Sequence, residues 1–240
     1  MNKTGTSSLR AVFQKIYGMR SNQKKVEEIS TIQIIRGNYA PLIEALNNLD
    51  FHQDLPVSQG IYYAGLDAVF PKSKFILTIR EKEPWFKSII KQYGRILVDL
   101  SSSQPAYKDR YIFRGYGQTW LSYFFADPID ILRSDLQKSD LDPSNLSPSQ
   151  FSKEFKEACL RVYTQRNQSI IKYFEQRPSD LLIIDISREN NIDKVTNFLN
   201  FPPFFSAPFP HVNATNSSNR NDAKASYIDV NFNPKLLIQS

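Results

Sequence analysis

The sequence lacks several features that would decide its class directly. It has no apolar run of about eighteen residues, so it predicts no membrane-spanning helix. Its start lacks the apolar stretch and small-residue cleavage site of a signal peptide. With one cysteine, Cys159, and two histidines, it can form no internal disulfide and has too few such ligands for a zinc cluster. We therefore expect a cytoplasmic protein without a membrane or metal partner.

The net charge is moderate and positive. The chain has 30 Lys and Arg residues against 24 Asp and Glu residues, which gives a formal charge of +6. The basic residues are scattered along the chain, a pattern typical of a solvated surface, so a nucleic-acid partner is not predicted. A pocket for a polyanionic ligand is the alternative that this charge leaves open.

Hydrophobic patterning predicts an α/β protein. Two apolar runs, within 74–80 and 180–186, have the composition of strands covered on both faces. Segments with apolar residues at helical spacing are predicted as helices, and these cover 6–17, 39–49, 60–70, 82–97, 151–177 and 191–200. Strands that alternate with helices predict an open parallel sheet in three layers, with helices on both faces.

The stretch "KTGTSS" near the start has the composition of an anion-binding loop. It comprises Lys3, Thr4, Gly5, Thr6, Ser7 and Ser8. Gly5 would let the backbone approach a ligand at the start of a helix, while hydroxyls and the Lys3 ammonium receive the anion. The alternative is a polar tail. Because Lys3 precedes Gly5, the order differs from that of nucleotide triphosphatases, which disfavours a kinase.

A second anion-binding pattern follows the first strand. Arg80 ends the strand 74–80, at the edge where open α/β sheets bind ligands, and Ser88 lies in the next helix. A guanidinium and a hydroxyl in this arrangement can bind one phosphate. The alternative is an arginine that caps the sheet edge beside a solvent-facing serine.

Together these motifs resemble the sulfotransferases that use 3′-phosphoadenosine 5′-phosphosulfate. "FPKSKFILTIREKEPWFKSI", "RPSDLLIIDIS" and "FPHVN" are similar to segments of bacterial members, so the resemblance runs from residue 3 to about 213. It implies a P-loop-like α/β fold and transfer of a sulfonate to a hydroxyl or amine. The partner it implies is a small-molecule or carbohydrate acceptor.

The resemblance also implies roles for individual residues. The first loop would hold the 5′-phosphosulfate, with Lys3 neutralising the bridging oxygen, while Arg80 and Ser88 would bind the 3′-phosphate. As general base the family uses a histidine or an acidic residue near a strand end, and "FHQDLP" offers His52 and Asp54. Two residues apart, they share one face of an extended segment. A histidine titrates near neutral pH unaided, whereas Asp54 would need burial, and the choice stays open.

The domain organisation follows from composition and from this resemblance. We expect one domain over 1–212, in which the aromatic-rich insertion 101–150 shapes the acceptor side. Residues 213–240 are rich in Asn and Ser and are expected to form a mobile polar tail.

Two departures from the family pattern shape the expected activity. The family's C-terminal Arg-Lys-Gly element is not found, and the strand that normally precedes the first loop would have to lie before Met1. We therefore expect that the chain starts later than its relatives do, so that no preceding strand holds Lys3 in position. The alternative function is a truncated or non-catalytic relative that binds a nucleotide or a partner.

Overall fold

The computed structural model describes residues 4–21, 37–53, 58, 62–101, 126–137, 146–202 and 208–210. Its helices are α1 (Thr6–Ala11), α2 (Ala40–Asn47), α3 (Tyr62–Val69), α4 (Lys82–Ser101), α5 (Ala126–Leu136), α6 (Lys153–Tyr173) and α7 (Asp193–Phe198). Its strands are β1 (Phe75–Thr78) and β2 (Leu181–Ile184). Short 3₁₀ turns precede α6 and flank β2, at Pro148–Gln150, Pro178–Asp180 and Ile186–Arg188.

The first helix confirms the helical prediction for 6–17 and adds a change of pitch. α1 continues directly into a π-helical turn, Val12–Ile16, and Gly18 follows with a φ of 61°. Val12 and Tyr17 are both fully buried, in a cluster that includes Ile184 of β2. Packing against the sheet therefore stabilises this helix, whose short length alone would not.

The two predicted strands pair in parallel, as expected. Phe75 lies opposite Leu181, and Thr78 lies opposite Ile184. The parallel α/β arrangement is thus present, but the described residues are mostly helical and contain two strands, fewer than an open three-layer sheet needs. The sheet is also incompletely covered, since Ile183 is 41% exposed.

A larger core lies among α4, α5 and α6. Trp85, Phe86, Leu97, Leu132 and Phe155 are buried there almost completely. The helix α5 was not predicted, because the aromatic composition of the surrounding insertion obscured the short helical spacing of its apolar residues. The prediction of a single domain over 1–212 stays untested, and the polar tail lies outside the described residues.

The described helices include none that is long and apolar enough to cross a membrane.

The carboxylate of Asp67, in α3, accepts the hydrogen bonds of a small charged cluster. Arg177 donates to its carboxylate at 2.6 and 3.2 Å, and the hydroxyl of Tyr173 donates at 2.8 Å. The hydrogen bond from Arg177 lowers the pKa of Asp67 below its ordinary value of 3.8. A lowered pKa in the folded state stabilises the fold above pH ~4, and this contribution is lost as the pH falls through the folded pKa.

We predict that Asp67→Asn lowers the stability at neutral pH and that its difference from the parent shrinks as the pH falls. The parent carboxylate becomes protonated as the pH falls through its lowered pKa, so the free energies of unfolding of the two proteins should converge. Urea denaturation between pH 2 and 7 measures this convergence. Asp130→Asn is the matched control, because Asp130 is 71% exposed and pairs only within α5 among the described residues. A constant difference across the pH range would contradict the prediction.

Candidate functional site

The glycine loop is anchored to the end of β1. Thr4 and Thr78 are each 3% exposed, and their hydroxyl oxygens lie 2.6 Å apart in a buried hydrogen bond. Thr78 is the last residue of β1, and Arg80 follows two positions later. The two segments with predicted anion-binding residues therefore meet at the carboxyl edge of the sheet, where α/β proteins bind ligands.

Gly5 gives the loop a left-handed backbone conformation that residues with a Cβ rarely adopt. Its φ is 95°, in the left-handed region, and its carbonyl accepts hydrogen bonds from the N–H groups of Ser8 and Leu9. A Cβ atom at this position would lie 3.2 Å from the Cβ of Ile186, just beyond β2. The loop is therefore packed across the ends of both strands.

We predict that Gly5→Ala lowers the free energy of unfolding by about 1–2 kcal/mol, because the left-handed backbone disfavours a Cβ. The crowding against Ile186 adds to this cost. Gly65→Ala is the matched control. Gly65 lies within α3 and has open space at its Cβ position, so alanine should stabilise the helix by up to about 1 kcal/mol. Equal effects of the two substitutions in urea denaturation would contradict this assignment.

The other loop residues lie at the start of α1. Thr6 and Ser7 are half-buried, and Ser8 is buried. Gly5, at the N-cap, has no side chain that could cap this helix, and its carbonyl accepts from the N–H groups of Ser8 and Leu9. Lys3, the predicted charge of the loop, lies outside the described residues.

Arg80 is fixed by its main chain and not by its side chain. Its N–H donates to the hydroxyl of Tyr163 at 2.8 Å, and that hydroxyl donates to the Arg80 carbonyl at 2.9 Å. Within the described ranges, the guanidinium has no hydrogen bond or ion pair. Ser88 is half-buried in α4, and its hydroxyl likewise has no partner in those ranges.

One of the two candidate bases lies within the described residues. His52 is half-buried and follows Phe51, whose ring packs edge-on against Phe13 at 4.9 Å. Asp50, which precedes them, accepts hydrogen bonds from the Arg20 guanidinium at 3.0 and 3.1 Å. The segment with His52 is therefore held against the first helix. Asp54 lies outside the described residues, so the choice of base stays a prediction.

Arg166 of α6 was not singled out in the sequence. Its Nη2 donates to the carbonyl of Ser58 at 2.6 Å, which connects α6 to the chain that follows the candidate bases. Burial lowers the pKa of Arg166 to about 10, so it stays charged at neutral pH. Sequence spacing placed Arg166 on a helix but gave no sign of burial.

The sheet edge also has an ion pair that the sequence did not predict. Arg188, in the turn after β2, pairs with Glu81, which directly follows Arg80. Its Nε also lies 3.8 Å from the carboxylate of Asp185. Both partners of the main pair are more than half exposed, so this pair contributes little to stability. It does place a second guanidinium beside the strand ends.

The described ranges contain no group of three or more His, Cys, Asp or Glu residues that could hold a metal ion. Cys159 is buried in the core, and burial raises the pKa of its thiol above the ordinary range. Neither feature adds a metal ligand or a nucleophile to the sheet edge.

In a comparison with known proteins, no curated protein matched the chain. A family model described as a sulfotransferase domain matches residues 1–218, which is most of the sequence. Its match covers the glycine loop, both strands and Arg80 together. The chain therefore belongs to the sulfotransferase domain family.

Proposed function

We propose that the protein transfers a sulfonate from 3′-phosphoadenosine 5′-phosphosulfate to a hydroxyl or amine. The acceptor would be a small molecule or a carbohydrate. The observation that carries the proposal is the hydrogen bond between Thr4 and Thr78, because it brings the glycine loop beside Arg80. Membership of the sulfotransferase domain family supports the class of reaction.

The described residues suit a donor with two anionic ends. The Arg80 guanidinium is uncommitted within the described ranges, and the Ser88 hydroxyl follows it in the next helix. The loop lies across the ends of β1 and β2, through Thr4 and Gly5. We assign the 3′-phosphate to Arg80 and Ser88, and the 5′-phosphosulfate to the loop from Lys3 to Ser8.

The residues would divide the chemistry between them. The bound donor supplies an activated sulfonate, and the protein aligns it with the acceptor and stabilises the charge that develops. His52 or Asp54 takes the proton from the acceptor as its oxygen or nitrogen attacks sulfur. Lys3 neutralises the phosphate oxygen that departs when its bond to sulfur breaks.

Two measurements on the full chain test this proposal. Calorimetry with 3′-phosphoadenosine 5′-phosphate should detect saturable binding. Sulfur-labelled donor should then lose its label to at least one member of a panel of phenols, sugars and amines. Absence of nucleotide binding by folded protein would overturn the proposal. Binding without transfer to water or any acceptor would favour a non-catalytic nucleotide-binding relative.

A further inference from the structure

The peptide groups of Arg80 lie just beyond the hydrogen-bonded part of the sheet. The last bond of the ladder runs from the N–H of Ile79 to the carbonyl of Ile184, at 2.8 Å. Among the described residues, the N–H of the next residue, Arg80, has no partner in the sheet. The hydroxyl of Tyr163 takes the place of a neighbouring strand, since it accepts from the Arg80 N–H and donates to the Arg80 carbonyl.

This hydroxyl is engaged by the main chain of Arg80 on both sides. Its single proton is donated to the Arg80 carbonyl, and its oxygen accepts from the Arg80 N–H. Burial raises the pKa of Tyr163, so the proton that is donated to the Arg80 carbonyl is retained at neutral pH. Tyr163 therefore has a structural role and does not act as a general base.

The ring of Tyr163 is itself rigidly supported. It is 3% exposed and stacks on Trp85, with centroids 4.3 Å apart and an interplanar angle of 24°. Trp85 is fully buried in the first turns of α4, which begins two residues after Arg80. One side chain thus joins α6, the tip of β1 and the start of α4.

A fixed main chain matters for an arginine that binds phosphate. The side chain is long, and a bidentate contact requires the guanidinium to arrive in a narrow range of positions. We propose that Tyr163 is a positioning residue, which fixes through the main chain the point from which the Arg80 guanidinium reaches the donor 3′-phosphate. This inference rests on the proposed function, and it assigns a role to a residue 83 positions from the arginine it serves.

The test uses the full chain with 3′-phosphoadenosine 5′-phosphate as the probe. Tyr163→Phe keeps the stacked ring and removes only the hydroxyl, so we expect about tenfold weaker binding. Tyr173→Phe is the matched control, because it removes one tyrosine hydroxyl from the same helix at a site bonded to Asp67. Its nucleotide affinity should equal that of the parent chain. Amide hydrogen exchange at Arg80 should be faster in Tyr163→Phe and unchanged in the control.

A double-substitution cycle separates positioning from a general structural role. When Arg80 is already alanine, Tyr163→Phe should cause no further loss of affinity. An equal loss in both backgrounds, or unchanged exchange at Arg80, would overturn the inference. If the parent and Tyr163→Phe bind the nucleotide equally tightly, only the positioning role of Tyr163 is overturned. If the parent chain binds no nucleotide, the proposed function is overturned as well.

Discussion

Arg80→Ala is expected to weaken the binding of 3′-phosphoadenosine 5′-phosphate about a hundredfold. The proposed bidentate contact between the guanidinium and the phosphate would be lost, and hydrogen bonds to charged groups contribute about 1.5–3 kcal/mol each. A hundredfold change corresponds to about 2.8 kcal/mol. Titration calorimetry on the purified variant measures the change. The effect on folding should be small, because the main chain of Arg80 keeps its bonds to Tyr163.

Arg161→Ala controls for the loss of one positive charge. Arg161 is exposed on α6, so its removal should leave the nucleotide affinity unchanged. Arg80→Lys should recover only part of the affinity, since an ammonium keeps the charge but loses the fork geometry. Parent-like affinity in Arg80→Ala would show that the 3′-phosphate binds elsewhere.

Trp85→Ala is expected to lower the free energy of unfolding by about 4 kcal/mol. Removing a fully buried tryptophan loses its transfer energy and leaves a cavity. Contact with the ring of Tyr163 is lost as well, so the support for Arg80 weakens. Urea denaturation measures the stability, and a fall in the midpoint with an unchanged slope identifies a pure stability effect.

Tyr39→Ala is the control for this second result. Tyr39 is 46% exposed and precedes α2, so its removal should change the stability by less than about 1 kcal/mol. Trp85→Phe should lie between the two variants, because it keeps an aromatic ring beside Tyr163. If Trp85→Ala cost no more than the exposed tyrosine, the core among α4, α5 and α6 would not hold the fold together.

The parts of the fold that depend on local pattern could be predicted. Both strands and most of the described helices followed from apolar runs and helical spacing within one segment. The π-helical turn at Val12–Ile16 could not be predicted, because its apolar spacing also fits an ordinary α-helix. The helix α5 was missed for a different reason, because the aromatic composition of the insertion around it obscured its helical spacing.

The contacts that assemble the candidate site are of another kind. Thr4 meets Thr78 across 74 residues, and Tyr163 meets Arg80 across 83. A threonine that pairs with a threonine leaves no periodic signal in either segment. Tyr163 matched the apolar face of its helix, so nothing in the spacing distinguished it from an ordinary core residue. Such pairs are created by folding of the whole domain.

The place of Gly5 against Ile186 has a consequence for biosynthesis. A ribosome makes the first of these residues near the beginning and the second only after most of the chain has emerged. The nascent polypeptide thus cannot seat the loop until β2 and the turn beyond it have been translated. Fragments released before that point would lack the surface on which the loop rests, so a premature stop would leave the loop without its contact to Ile186.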